Sequence, residues 1–148
     1  MAGEQKQLLK VSVLHYRDES HDEETWTKWY YEEQIPRFVP VANSHGIDRV
    51  ELYITPKTLR EYFQKDLDEL KGGCATGWQM APYDAATIYW VTDPQKIRDM
   101  LNDKIWQEKV TPFEKGWIKQ NRVDVQAGYQ TTFVEDGKII NTTPKSYD

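Results

Sequence analysis

The chain has 148 residues, 39% hydrophobic and 29% charged, which is enough for one domain with a real core and too apolar for a disordered polymer. Nineteen basic against 24 acidic residues leave a formal charge of −5, which gives no pull toward nucleic acid or an anionic membrane. No stretch is long and apolar enough to span a bilayer, the first seven residues are polar, and the single cysteine, Cys74, allows no internal disulfide; a cytoplasmic protein without a signal peptide is expected.

The first element is a strand over Leu8–Tyr16, where Val11, Val13 and His15 alternate with Ser12, Leu14 and Tyr16. Ser20-x-x-Glu23 has the form of a capping box, and Trp26, Trp29, Tyr30 and Glu33 follow at helical spacing. Glu23, Glu24, Lys28, Glu32 and Glu33 give that helix a wet face. Pro36 lacks a backbone donor, so the helix should kink or end near Gln34 and Ile35, with a second break at Pro40. Gly46, in His45-Gly46-Ile47, suits a left-handed helix end.

A second strand is expected over Arg49–Ile54, then a helix opened by Thr55-Pro56, striped by Leu59, Tyr62, Phe63, Leu67 and Leu70, and stopped by Gly72-Gly73. The span from Gly73 to Pro82 reads as a loop carrying Trp78, either a lid or a segment tucked on the core. Ala85–Val91 is the third strand, and Asp93-Pro94 caps the next helix. A further segment from Asp103 holds Trp106, Val110, Phe113 and Trp117; a fourth strand runs from Val125 to Val134 and ends in the turn Glu135-Asp136-Gly137-Lys138. The order β-α-β-(α)-β-α-β is the split βαβ plan, an α+β ferredoxin-like subunit with a four-stranded antiparallel sheet. One domain spans 1–148, with its core at 8–140 and a polar tail. One sheet face is covered by helices, and pairing of the other with a second copy gives a homodimer.

There is no phosphate loop, dinucleotide fingerprint or metal-ligand spacing, so no cofactor and no metal site is expected. What remains is a set of polar groups among aromatics, which make up 13% of the chain. His15 shares a strand face with Val11 and Val13; it is either a packed, hydrogen-bonded histidine or the proton-transfer residue of a pocket. His45 sits at a helix end as a structural residue or a second acid/base, whereas His21 is expected to be solvated. Gln34 could orient a substrate carbonyl. Trp29 and Tyr30 divide between core and pocket wall, Tyr53 and Tyr89 point a hydroxyl into a cavity or pack, and Trp78 is a wall of the same pocket.

The series Leu9 to Arg17, Trp29-Tyr30-x-x-x-Gln34-x-Pro36, His45-Gly46-Ile47, Tyr83-Asp84-Ala85 through Tyr89-Trp90-Val91, Glu108-Lys109-Val110-x-Pro112 and Gly128-Tyr129 through Lys138 resembles the EthD family of dimeric α/β-barrels. The likeness is greatest to fungal members from polyketide clusters. That resemblance implies a homodimer with a pocket between sheet and helices in each subunit, and a cofactor-independent tailoring lyase acting on an aromatic polyketide by decarboxylation, dehydration or cyclisation. Where the family carries a histidine in a His-x-Pro segment, this chain has Gln34. The expected acid/base therefore passes to His15, with Tyr53 or Tyr89 and Gln34 as donors and Trp29 and Trp78 as walls. A cofactor-free monooxygenase of anthrone or naphthol type and a non-catalytic binder of an aromatic ligand are the rival readings.

Overall fold

Strands β1 (Leu9–Arg17) and β3 (Ala85–Val91) form the centre of a four-stranded antiparallel sheet, flanked by β2 (Arg49–Ile54) and β4 (Ile118–Tyr129) in the order β2-β3-β1-β4. The structure, a computed structural model, describes residues 7–70 and 77–147. Val13 pairs with Thr87 on one side and Val125 on the other, and His15 with Ala85 and Val123. This register puts Val11, Val13, His15, Thr87, Tyr89, Val123 and Val125 on one face. Helices α1 (Glu23–Trp29), α2 (Ile35–Ser44) and α4 (Gln95–Leu101) lie over the β1 and β3 part of that face, and Trp26, Tyr30, Phe38, Val41, Met100, Val110 and Ile118 fill the space between as the core.

The expected β2 and β3 coincide with the strands observed, and the Asp136-Gly137 turn joins the short strands β5 (Val134–Glu135) and β6 (Lys138–Ile139) with both turn residues at positive φ. Three local expectations need correction. The cap of α1 is Asp22, not Ser20: its carboxylate accepts from the Thr25 amide at 2.7 Å, while Ser20 turns its hydroxyl to Asp18. Pro36 and Pro40 do not break the helix. The segment Tyr30–Gln34 widens into a π turn, in which the Ile35 amide reaches back to the Tyr30 carbonyl, and α2 continues through both prolines. Strand β4 runs over Ile118–Tyr129 rather than Val125–Val134, because pairing with β1 overrides the polar run Lys119 to Arg122 and ends at Leu9, leaving Val134 to the separate hairpin. The Gly72-Gly73 stop and Cys74 lie outside the described residues.

Trp106–Val110 repeats the π turn, with the Thr111 amide bonded to the Trp106 carbonyl, and a short 3₁₀ turn, Thr111–Glu114, follows. In both places a proline lies two residues past the π turn, Pro36 in one and Pro112 in the other. A proline leaves a carbonyl one turn back without its donor, and the wider turn re-registers the chain around that gap. The first π turn carries Gln34 and the 3₁₀ turn after the second carries Glu114, and the two side chains meet.

Apolar surface remains uncovered on two of the described elements. Helix α3 (Lys57–Glu69) buries none of its residues and exposes Leu59, Tyr62 and Phe63, and edge strand β4 exposes Val123, Val125 and Tyr129. None of the described helices is long and apolar enough to cross a membrane.

Candidate active site

A cavity of about 270 Å³ lies between the sheet and the helices. Its apolar wall is made by Val11 and Val13 of β1, Val123 and Val125 of β4, and residues of α2, α4 and the second π turn, including Phe38, Met100 and Trp106. Its polar groups are His15, Tyr30, Thr87, Tyr89, Thr111 and Glu114. Among the described lining residues there is one carboxylate, Glu114, and no lysine or arginine.

Glu114 is the group that the sequence reading missed. Burial disfavours its charged form and raises its pKa from 4.5 to about 7, although a hydrogen bond donated by Gln34 Nε2 at 3.1 Å pulls the other way. Gln34 itself is buried, and its Oε1 accepts from Arg37 Nη1 at 3.1 Å. The sequence signal for Glu114 was the proline two residues before it, the mirror of Pro36 two residues after Gln34. Flanked by Phe113 and Lys115, it otherwise reads as a surface carboxylate.

His15 does face the cavity, but burial lowers its pKa from 6.5 to about 4, so it is a neutral imidazole at neutral pH. Its Nδ1 is buried and has no hydrogen-bond partner among the described residues. Tyr30 and Thr87 share a hydrogen bond of 2.8 Å between their hydroxyls. One hydroxyl hydrogen is spent in that bond, and the other is free for a ligand. Burial holds the Tyr30 and Tyr89 phenols above their ordinary range, so both are neutral donors.

The other expected site residues fall elsewhere. His45 Nε2 contacts Asp103 Oδ2 at 2.7 Å, tying the end of α2 to the loop after α4, and does not line the cavity. Trp29 stacks on Trp117 at 4.8 Å and supports the helix layer from outside the cavity. His21 is not merely solvated; it stacks on the Trp117 ring, with the ring centres 3.6 Å apart. Tyr53 lies on an exposed edge strand and Trp78 on an exposed loop, and neither reaches the cavity. Tyr30 and Tyr89 line the cavity, and Gln34 bonds to Glu114 and does not line the cavity itself. Among the described residues no cluster of three or more His, Cys, Asp or Glu side chains could hold a metal ion.

With this geometry in view, the model of the EthD domain matches residues 18–121, from the end of β1 to the start of β4. The chain belongs to the EthD family. It is 26% identical over 141 residues to dehydratase iacD of Pestalotiopsis fici, an alignment covering 95% of this chain and 99% of that protein. An Aspergillus terreus protein named provisionally as an oxygenase is 22% identical over 139 residues, covering 93% of this chain and 83% of its own length. Among solved structures, HapK from Hahella chejuensis superposes with a TM-score of 0.51 at 11% identity, covering 83% of this chain and 92% of that one. At that identity the likeness speaks for the fold alone. Within the EthD match lie Trp26 to Gln34 and Glu114, so both halves of the Gln34–Glu114 pair fall inside the family's domain.

Proposed function

We propose that this EthD protein is a dehydratase that removes water from an uncharged, hydroxylated, ring-fused ketone of polyketide type, with Glu114 carrying the proton. The observation that carries the reading is a carboxyl, poised near neutrality, in a cavity whose other described lining residues are apolar or neutral. A base of that kind takes the proton next to the ketone. The electron pair forms an enolate, whose oxygen meets the free hydroxyl hydrogen of the Tyr30–Thr87 pair. The enolate then collapses, the carbon–carbon double bond forms, and the β-hydroxyl leaves with the proton that Glu114 returns, as water. No oxidant or reductant enters this balance. Neutral His15 supplies a hydrogen bond to the substrate, and Tyr89, Phe38 and Trp106 supply walls for a flat ring.

The lining also favours dehydration over decarboxylation. A substrate carboxylate would enter beside Glu114 with no described cation to meet it, and an unpaired buried charge costs several kcal/mol. The relative named as a dehydratase supports the same choice. The test is incubation of the purified protein with a β-hydroxytetralone, which aromatises to a naphthol on losing water. Naphthol absorbance should grow without oxygen uptake. Oxygen consumption would move the protein to the cofactor-free monooxygenase reading that the second relative's name favours, and retention of the ring without turnover would make it a binder.

The same reading takes the protein as a homodimer in the cytoplasm. Support comes from the exposed apolar faces of α3 and β4. Light scattering at micromolar concentration should give twice the 17.5 kDa chain mass, and Val125→Lys or Tyr62→Lys should weaken the association. A monomeric wild-type chain would refute it.

A further inference from the structure

Arg37 lies on α2, one turn after Gln34, outside the cavity lining. Its Nη2 reaches Glu33 at 3.3 Å, its guanidinium lies 4.1 Å over the Phe113 ring, and its Nη1 donates to Gln34 Oε1. These contacts hold it from three sides: its own helix, the neighbouring 3₁₀ turn and the buried amide. An arginine has donors and no acceptor, so whatever part of the Gln34 amide faces it must be the carbonyl. The NH₂ group is thereby turned to Glu114. We infer that Arg37 is a positioning residue, which locks the Gln34 amide with its NH₂ toward the Glu114 carboxyl.

The consequence follows from the two faces of an amide. An NH₂ donor stabilises the carboxylate form of Glu114, whereas a carbonyl in the same place could be satisfied only by the protonated acid. Without Arg37 the amide is free to flip, and the carboxyl would keep its proton to higher pH. A histidine in place of Gln34 would itself titrate. A glutamine held by an arginine gives a fixed donor instead, so the proton stays with Glu114.

The other titratable groups that face Glu114 are His15 from β1, Tyr30 from the π turn and Tyr89 from β3; the cavity residues of β4 and α4 (Val123, Val125, Ile97, Met100 and Leu101) are apolar. His15 is neutral above about pH 4 and the phenols stay neutral throughout, so none of them changes charge where Glu114 titrates.

The experiment is a carbon-13 NMR titration of glutamate-labelled protein without substrate, with the Glu114 carboxyl signal assigned by its loss in Glu114→Gln. This readout is independent of the dehydratase reading on which the role of Glu114 rests, so either can fail alone. In Arg37→Met the Glu114 midpoint should rise by about one pH unit, the size of one hydrogen bond to a charged group. Arg37→Lys, which keeps a donor, should recover most of that shift. The loss of a nearby positive charge would also raise the midpoint, so a second background separates the two causes. In Gln34→Met, adding Arg37→Met should move Glu114 little, because the amide through which it acts is gone. An equal shift in both backgrounds, or no shift in either, would overturn the inference.

Discussion

Replacing Glu114 with glutamine is expected to lower turnover of the β-hydroxytetralone by about 10²–10⁴-fold, the usual worth of a positioned acid or base. The exchange keeps the side chain's shape and removes only its ability to take and return a proton. Gln34 Nε2 can still donate to the new amide oxygen, so the hydrogen bond across the two turns survives. Above pH 7 the variant should also be at least as stable as the parent, because a buried carboxylate has been removed. His15→Gln makes the decisive comparison. A neutral imidazole that only donates or accepts a hydrogen bond contributes about 1 kcal/mol, so its loss should cost about fivefold. If His15→Gln is instead the more damaging change, proton transfer belongs to the histidine and Glu114 is a structural carboxyl. Wild-type rates should rise with pH through about 7 as the Glu114 carboxylate forms, and that rise should vanish in Glu114→Gln.

How far the site could be read from the chain depends on which forces placed each residue. His15, Tyr30 and Tyr89 were legible because strand alternation and helical spacing assign a face before any tertiary contact is known. The bounds of β2 and β3 were legible as well. Glu114 was missed because its one local mark is the proline two residues before it: its burial is imposed by the 3₁₀ turn that contains Pro112 and by a partner 80 residues away in sequence. Trp29 looked like a pocket wall, but Trp117, which lies past β2 and β3 in the connection to β4, drew it into a stack. Gln34 was singled out for its place before Pro36, but its bond to Glu114 was not legible, because the partner lies on a distant turn and the π turn that buries Gln34 leaves no local pattern. A proline in a helix reads as a break when its missing donor is the sole consideration. It becomes a re-registering device when the core on either side is strong enough to hold both halves, as Trp26 and Phe38 do here.

The burial of Glu114 and His15 in one cavity should also leave a signature in stability against pH, visible only when one of the pair is removed. The folded state holds the Glu114 proton from pH 4.5 to about 7, where the unfolded chain has already released it, so this group makes stability fall as pH rises through that window. His15 has the opposite sense. Its unfolded form binds a proton below 6.5 but its folded form only below about 4, so stability falls as pH drops from 6.5 toward 4. Between 4.5 and 6.5 the two slopes oppose each other and nearly cancel in the parent protein. In Glu114→Gln the histidine acts alone, and stability should climb by about 3 kcal/mol from pH 4 to 6.5 relative to the parent's near-level course. In His15→Gln the carboxyl acts alone, and stability should decline by a similar amount from pH 4.5 to 7. The carboxyls of Asp18, Glu19, Asp22 and Asp103, all held below their ordinary values, are common to the three proteins and drop out of the comparison. Urea midpoints measured across pH for the three proteins give the test. Curves that stay parallel would mean that neither group changes its protonation on folding, and the polar end of the cavity would then be open to water.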